Sequence, residues 1–108
     1  MLKEVNRLKS DKDFRNVFKN GRTSENRFIR IKFLKNQNNI SRFGFIISTK
    51  VLKKANLRNS LKRRLRAICR SFLKDLKPGL DIVVWPKTSA ASLDYKDLTG
   101  YLRELITF

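Results

Sequence analysis

The sequence contains no histidine at all, and its 108 residues include one cysteine, two prolines and four glycines. Without imidazole there is no Ser-His or Cys-His nucleophile, no His general base and no His metal ligand. Cys69 has no second thiol to pair with, so neither a disulfide within the chain nor a thiolate metal site is expected. Its place on an apolar helix face reads as a small core residue, and a lone thiol suits a reducing, cytoplasmic setting. Acids are scarce too. The nine carboxylates (Glu4, Asp11, Asp13, Glu25, Asp75, Asp81, Asp94, Asp97 and Glu104) are scattered. Only Asp94 and Asp97 are close neighbours late in the chain, and they fall at the start of an expected helix, where negative charge suits the dipole. The glycines form neither a GxGxxG fingerprint nor a phosphate-binding loop. No run of about eighteen apolar residues exists to span a bilayer. The opening Met1-Leu2-Lys3-Glu4-Val5-Asn6-Arg7 turns polar too early for a signal peptide. Catalysis by protein side chains is therefore not expected, and metal ligands are not either.

Positive charge is what the chain has in excess. Twenty-six Lys and Arg against nine acids give a net charge of +17, while 41% of residues are apolar, enough to build one core. The length suits a single domain spanning residues 1–108, and the apolar content excludes a disordered basic tail. Self-repulsion at this charge density destabilises the compact state unless a polyanion relieves it. Nucleic acid is the leading partner, and an anionic membrane surface is the rival.

The charge concentrates between Lys50 and Arg66, where eight of seventeen residues are basic and the next acid is Asp75. From Ala55 the spacing predicts a helix: Leu57, Leu61, Leu65, Ile68, Phe72 and Leu76 form one apolar stripe. Arg58, Lys62 and Arg66 then stand at i, i+4 spacing, where like charges repel by a few tenths of a kcal/mol per pair, on the order of 0.2–0.5. Lys50, Lys53, Lys54, Arg58, Lys62, Arg63 and Arg66 can track phosphates, and Asn59 adds an amide that both donates and accepts.

Read in order, residues 1–9 form an extended lead-in. Ser10 and Asp11 open a helix carrying Phe14, Val17 and Phe18, which stops near Asn20-Gly21. Residues 22–26 are polar, a loop or a very short strand. The alternation over residues 28–34 predicts a strand with Ile29, Ile31 and Phe33 inward and Phe28, Arg30 and Lys32 on the other face. Asn36-Gln37-Asn38-Asn39 is a turn. A strand from Arg42 to Thr49 is expected to pair back on the first as an antiparallel hairpin, with Phe43, Phe45 and Ile47 on one face and Gly44, Ile46 and Ser48 on the other. The basic helix runs to Lys77-Pro78-Gly79. Residues 80–85 read as a strand buried on both faces, and Ser92 as the N-cap of a last helix. The pattern is α+β, helices on one small sheet. Phe14, Phe18 and Phe28 also alternate with Arg15, Lys19, Arg30 and Lys32, an arrangement suited to stacking the bases of a single strand. Helical spacing alone, however, assigns Phe14 and Phe18 to the core.

The segment Arg58-Asn59-Ser60-Leu61-Lys62-Arg63-Arg64-Leu65-Arg66 resembles the signature helix of the bacterial ribonuclease P protein family. The lead-in 48–55, the opening Arg7-Leu8-Lys9, the run Asp13-Phe14 with Val17-Phe18-Lys19 and Gly21, and the late strand 81–84 match the family in the same order. The resemblance implies an αβββαβα sandwich like the second domain of ribosomal protein S5, with a left-handed β-α-β crossover. It implies an accessory subunit of a ribonucleoprotein that removes the 5′ leader of precursor tRNA, the chemistry being done by ribonuclease P RNA with Mg²⁺ that the RNA mainly binds. By position, Lys50, Lys53, Lys54, Arg58, Asn59, Lys62, Arg63 and Arg66 would contact that RNA. Phe14, Phe18 and Lys19 would line a cleft for the single-stranded leader, with Phe28, Arg30 and Lys32 beside them. Three positions depart from the family pattern: Ser60 stands where a second Arg is usual, Thr49 where Lys is frequent, and Arg64 where an apolar residue is more common. Ser60 is expected to weaken one phosphate contact and Arg64 to compensate. At Lys32 the family can carry an aromatic. The residues alone leave open a general RNA-binding protein of similar fold or a membrane-active basic helix, and weak self-association stays open.

Overall fold

The computed structural model describes residues 2–76 and 78–106. The elements are α1 (Asp11–Asn20), β1 (Arg22–Glu25), β2 (Ile29–Lys35), β3 (Arg42–Phe45), α2 (Ala55–Phe72), β4 (Leu80–Pro86) and α3 (Tyr95–Ile106), with short 3-10 turns at Glu4–Asn6 and Thr88–Ser92. This is the αβββαβα order, an α+β fold. The expected extended lead-in is instead the turn at Glu4–Asn6, flanked by Leu2 and Leu8, both buried, and tied to β3 by Leu8 N donating to Phe43 O at 2.8 Å.

The hairpin expected between residues 28–34 and 42–49 does not form. The strand order is β1-β2-β4-β3: β4 lies between β2 and β3, antiparallel to the first and parallel to the second. The reason lies in β4 itself. Ile82, Val83 and Val84 are fully buried, so this strand needs cover on both faces and a ladder on both edges, and it takes the centre. The 36–41 loop accordingly crosses two strand spacings, about 10 Å. Asn36 ties that crossing down: its amide donates to Asp81 Oδ1 (2.7 Å) and Ile40 O (3.0 Å), and its backbone N–H donates to Gly79 O at 2.6 Å. Gly79 has φ +88°, a left-handed conformation suited to a residue without a side chain.

Except for Phe28, which packs in the same layer as Ile29 and Ile31, the expected division of faces survives the change of partner. Ile29, Ile31, Phe43, Ile82 and Val84 pack with Leu61, Leu65, Ile68, Cys69 and Phe72 of α2 and Leu98, Leu102 and Leu105 of α3. On the opposite face α1 lays Val17 on Val83, with Leu8, Phe14, Phe18, Leu34, Ile46 and Trp85 around them. Cys69 is fully buried in the first layer, and burial pushes its thiol well above its ordinary range.

Element ends and caps differ from expectation, beginning with β3, which stops at Phe45 instead of running to Thr49. α2 stops at Phe72, and Leu73 and Asp75 make tight bonds to Arg70 O and Phe72 O. The expected end at Lys77-Pro78-Gly79 is therefore not reached, and Lys77 lies outside the described residues. Leu57, at the head of the expected stripe, is 44% exposed because α2 enters the core only at Leu61. α3 is capped by Asp94, whose Oδ1 accepts from Asp97 N at 2.8 Å, while Ser92 ends the preceding 3-10 turn. The cap at Ser10 is as expected: its Oγ accepts from Asp13 N. Among the described residues no helix is long and apolar enough to cross a membrane.

One ionic network ties the layers together. Arg42 on β3 grips Asp81 on β4 through two bonds, Nε to Oδ1 at 2.9 Å and Nη2 to Oδ2 at 2.7 Å, and its Nη1 reaches Asp13 of α1 at 3.2 Å. Asp81 is buried. The forked geometry satisfies the carboxylate, which therefore becomes an uncompensated buried charge if Arg42 is removed. Arg42→Met should cost about 3–5 kcal/mol in urea unfolding. A loss below about 1 kcal/mol, the range of an exposed ion pair, would show that the network holds nothing.

Candidate nucleic-acid interface

Two surfaces carry most of the residues singled out by the sequence. The first is a groove between α1 and the sheet, a recess of about 490 Å³ lined by Phe14, Phe18, Ile46, Asp11 and Arg15. Helical spacing puts Phe14 and Phe18 one turn apart, with ring centroids at 6.4 Å. Phe18 stacks on Trp85 at 5.1 Å with planes 29° apart. Both phenylalanines are half-buried, so each is a wall of the groove as well as part of the second layer's packing. Gly44 on β3 lets Phe14 lie directly on the strand: a Cβ there would stand 2.5 Å from the Phe14 ring.

The other expected cleft residues scatter. Lys32 is on the groove face but spends its ammonium on Phe18 O at 2.8 Å, at the C-terminal end of α1 where the dipole favours a cation. Arg30 stands opposite Trp85 in the β2–β4 ladder and is held by Glu25 at 3.0 Å. Lys19 lies on the outer side of α1, in a shallow recess with Lys12 and Asn16. Phe28 is not brought to the groove. It precedes β2, so the strand's alternation does not reach it, and it packs on Tyr101 of α3 at 4.2 Å with Arg27 over its ring.

The second surface is α2 and the loop before it. Asn56, Asn59, Lys62, Arg63 and Arg66 line a recess of about 420 Å³ without a carboxylate. Lys50, Lys53 and Lys54 stand exposed on the loop. Arg58 does something the sequence did not suggest: its Nη1 donates to Leu52 O (2.9 Å) and Lys53 O (2.7 Å), bracing the loop that presents the lysines. Arg64 is half-buried, with Nε unpartnered and enclosed, and does not line this recess.

Sequence reasoning missed Ile46, which lines the groove, Gly44, on which Phe14 rests, and Trp85, which stacks on Phe18. The signal was there in the alternation of residues 80–86. The mistaken hairpin hid it, because only with β4 beside β2 does Trp85 come to lie across from Arg30.

The family model described as Ribonuclease P matches residues 2–107 of the chain. The chain belongs to the Ribonuclease P family. It is 38% identical to the ribonuclease P protein component of Pseudanabaena sp. over 107 residues, 98% of this chain and 92% of that protein. It is 36% identical to the component of Clostridium botulinum strain Loch Maree, over 94% of this chain and 91% of that one. Its fold superposes on the RNase P protein from Thermotoga maritima with a TM-score of 0.85 at 33% identity, covering 93% and 94% of the two chains. As a family member it is the accessory subunit of the endoribonuclease ribonuclease P, with a role in processing the 5′ leader of tRNA, and its partner is ribonuclease P RNA. Metal dependence belongs to the ribonucleoprotein. Among the described residues no three His, Cys, Asp or Glu side chains gather into a set of ligands.

Gly44→Ala probes how Phe14 seats on β3. It should displace the Phe14 ring, cost about 1–3 kcal/mol as overpacking does, and alter the emission of Trp85, the single tryptophan, next to Phe18. Unchanged stability and emission would mean that Phe14 does not rest on this strand.

Proposed function

We propose that the groove between α1 and the sheet receives the single-stranded 5′ leader of precursor tRNA, while the loop at 50–54 and α2 bind ribonuclease P RNA. The observation that carries the reading is the Phe18–Trp85 stack at 5.1 Å, edged by Phe14, beside an open recess that Arg15 and Asp11 also line. Aromatic rings bordering an open recess stack on any base, which suits leaders of varied sequence. Lys62, Arg63, Arg66 and Asn59 supply phosphate and hydrogen-bonding contacts in one row, and Lys50, Lys53 and Lys54 extend it. Arg58 acts through the loop: by holding Leu52 and Lys53 it presents their neighbours to the RNA. Arg30 and Lys32 set the field at the sheet end of the groove, and Lys19 lies on the outer path of a strand leaving it. The reacting phosphate and the Mg²⁺ are held by the RNA, and the protein contributes affinity and orientation. The compartment is the cytoplasm, where tRNA precursors are made in a bacterium.

With ribonuclease P RNA present, Phe18→Ala should weaken precursors carrying a leader about tenfold relative to leaderless tRNA, within the 1–3 kcal/mol of one stacked base. Binding of the catalytic RNA itself should stay near parent. Equal losses for both RNAs would mark Phe18 as packing alone. Lys62→Ala should do the converse, weakening RNA association and lowering its salt slope by about one; identical slopes for variant and parent would contradict the assignment of α2.

A further inference from the structure

Between the two surfaces lies a third recess of about 420 Å³. Arg7 and Lys9 enter it from the N-terminal segment, Lys62 and Arg66 from α2, and Gly44 and Phe45 of β3 form its floor. Phe14 lines both this recess and the groove, and Lys62 and Arg66 line both this recess and the one along α2. Four cations thus face one concavity, and no carboxylate lines it. Lys9 has an outside partner in the exposed Glu4. Glu4, on the same segment, also feels the charge of Arg7, but no carboxylate lines the recess, and placing two guanidiniums on one concavity is unfavourable in the free protein.

Arg7 is not there by accident of a loose tail. Its backbone pairs with Phe43 as an isolated parallel bridge, Leu8 N donates to Phe43 O at 2.8 Å, and Arg7 Nε donates to Leu2 O at 3.2 Å. The segment is therefore stitched to the edge of β3, and the Arg7 guanidinium, held by Leu2 O, lines the same recess as Arg66 of α2. Burial, and after it the like charge of Arg7, push Arg66 below the ordinary arginine range.

We infer that Arg7 and Arg66 together grip one RNA phosphodiester at this junction, joining the groove and α2 into one continuous track. The inference rests on the proposed RNA-binding reading and adds to it a residue, Arg7, on an element outside both surfaces. A phosphate between the two guanidiniums turns their repulsion into two charge-assisted contacts and lets a strand pass from Phe14 to Lys62 without leaving positive potential. The phosphate can come from the tRNA leader or from ribonuclease P RNA, and the arms of the test separate these.

The test uses Arg7→Gln, Arg66→Gln, the double variant and Arg7→Lys, each checked for parent-like circular dichroism. Affinity is measured across salt for ribonuclease P RNA alone, and for precursor tRNAs with leaders of increasing length bound to the RNA–protein complex. Each single Gln variant should lose about tenfold, as for a charged hydrogen bond of roughly 1.5 kcal/mol, and the double little more than either single, because both sides share one phosphate. Salt slopes should fall by about the same amount, near one, in all three. Arg7→Lys, which keeps the charge and loses the fork, should fall between. Loss confined to RNA alone assigns the phosphate to ribonuclease P RNA; loss appearing only with leaders long enough to reach the recess assigns it to the leader. Parent-like affinities in both arms, or losses that add fully in the double variant, would overturn the shared site while leaving the RNA-binding reading intact. A parent protein that binds neither RNA would overturn that reading and this inference with it.

Discussion

Unbalanced positive charge is the constraint from which the rest of this molecule follows. Twenty-six cations and nine acids share a body whose principal extents are 35 × 27 × 24 Å. The few carboxylates are placed where the fold needs them. Asp13 and Asp81 meet Arg42 where α1, β3 and β4 converge, and Glu25 joins Arg30 and Lys87 beside the β1–β2 turn. Lys87, followed by Arg30, holds the Glu25 carboxyl below its usual range. Asp11 and Asp94 sit at helix starts, where the dipole favours them. No acid falls between Lys50 and Lys74, so α2 and its loop meet solvent with their repulsion uncompensated. Such a face is stable enough to fold because the opposite side of α2 is buried in the core, and it gains most from a polyphosphate partner.

The central position of β4 turns that charge distribution into a binding surface. A strand that must be covered on both faces recruits α2 and α3 to one side and α1 to the other. α1 is a short helix and leaves part of its face of the sheet open, which is where Phe14, Phe18 and Ile46 line the groove and Trp85 backs Phe18. Gly44 lets Phe14 lie close against β3, and Arg42 holds the start of α1 to the sheet. Stability and groove shape therefore depend on the same contacts, and the aromatic rings serve both.

Local signals in the sequence were read well where one residue type leaves few options. Ser10 as a cap, the α1 stripe, the burial of residues 82–84 and the basic face of α2 follow from side-chain chemistry within a few positions. Long-range pairing was not legible. Nothing near Asn36–Asn39 distinguishes a turn that returns beside β2 from one that steps over a later strand; the decision belongs to β4, more than forty residues on. The same holds for roles set by distant partners. Arg58 bracing loop carbonyls, Lys32 committed to Phe18 O and Phe28 committed to Tyr101 depend on contacts that spacing does not encode. The resemblance to the family supplied the order of elements and the groove's helix, yet Trp85 emerged only from the strand order.

The most direct test of the account is reconstitution of cleavage: precursor tRNA with bacterial ribonuclease P RNA at low Mg²⁺, with and without this protein. The account predicts that the 5′ leader is removed at an appreciable rate only when RNA and protein are both present. Equal cleavage with and without the protein, or RNA binding that never promotes leader removal, would contradict it.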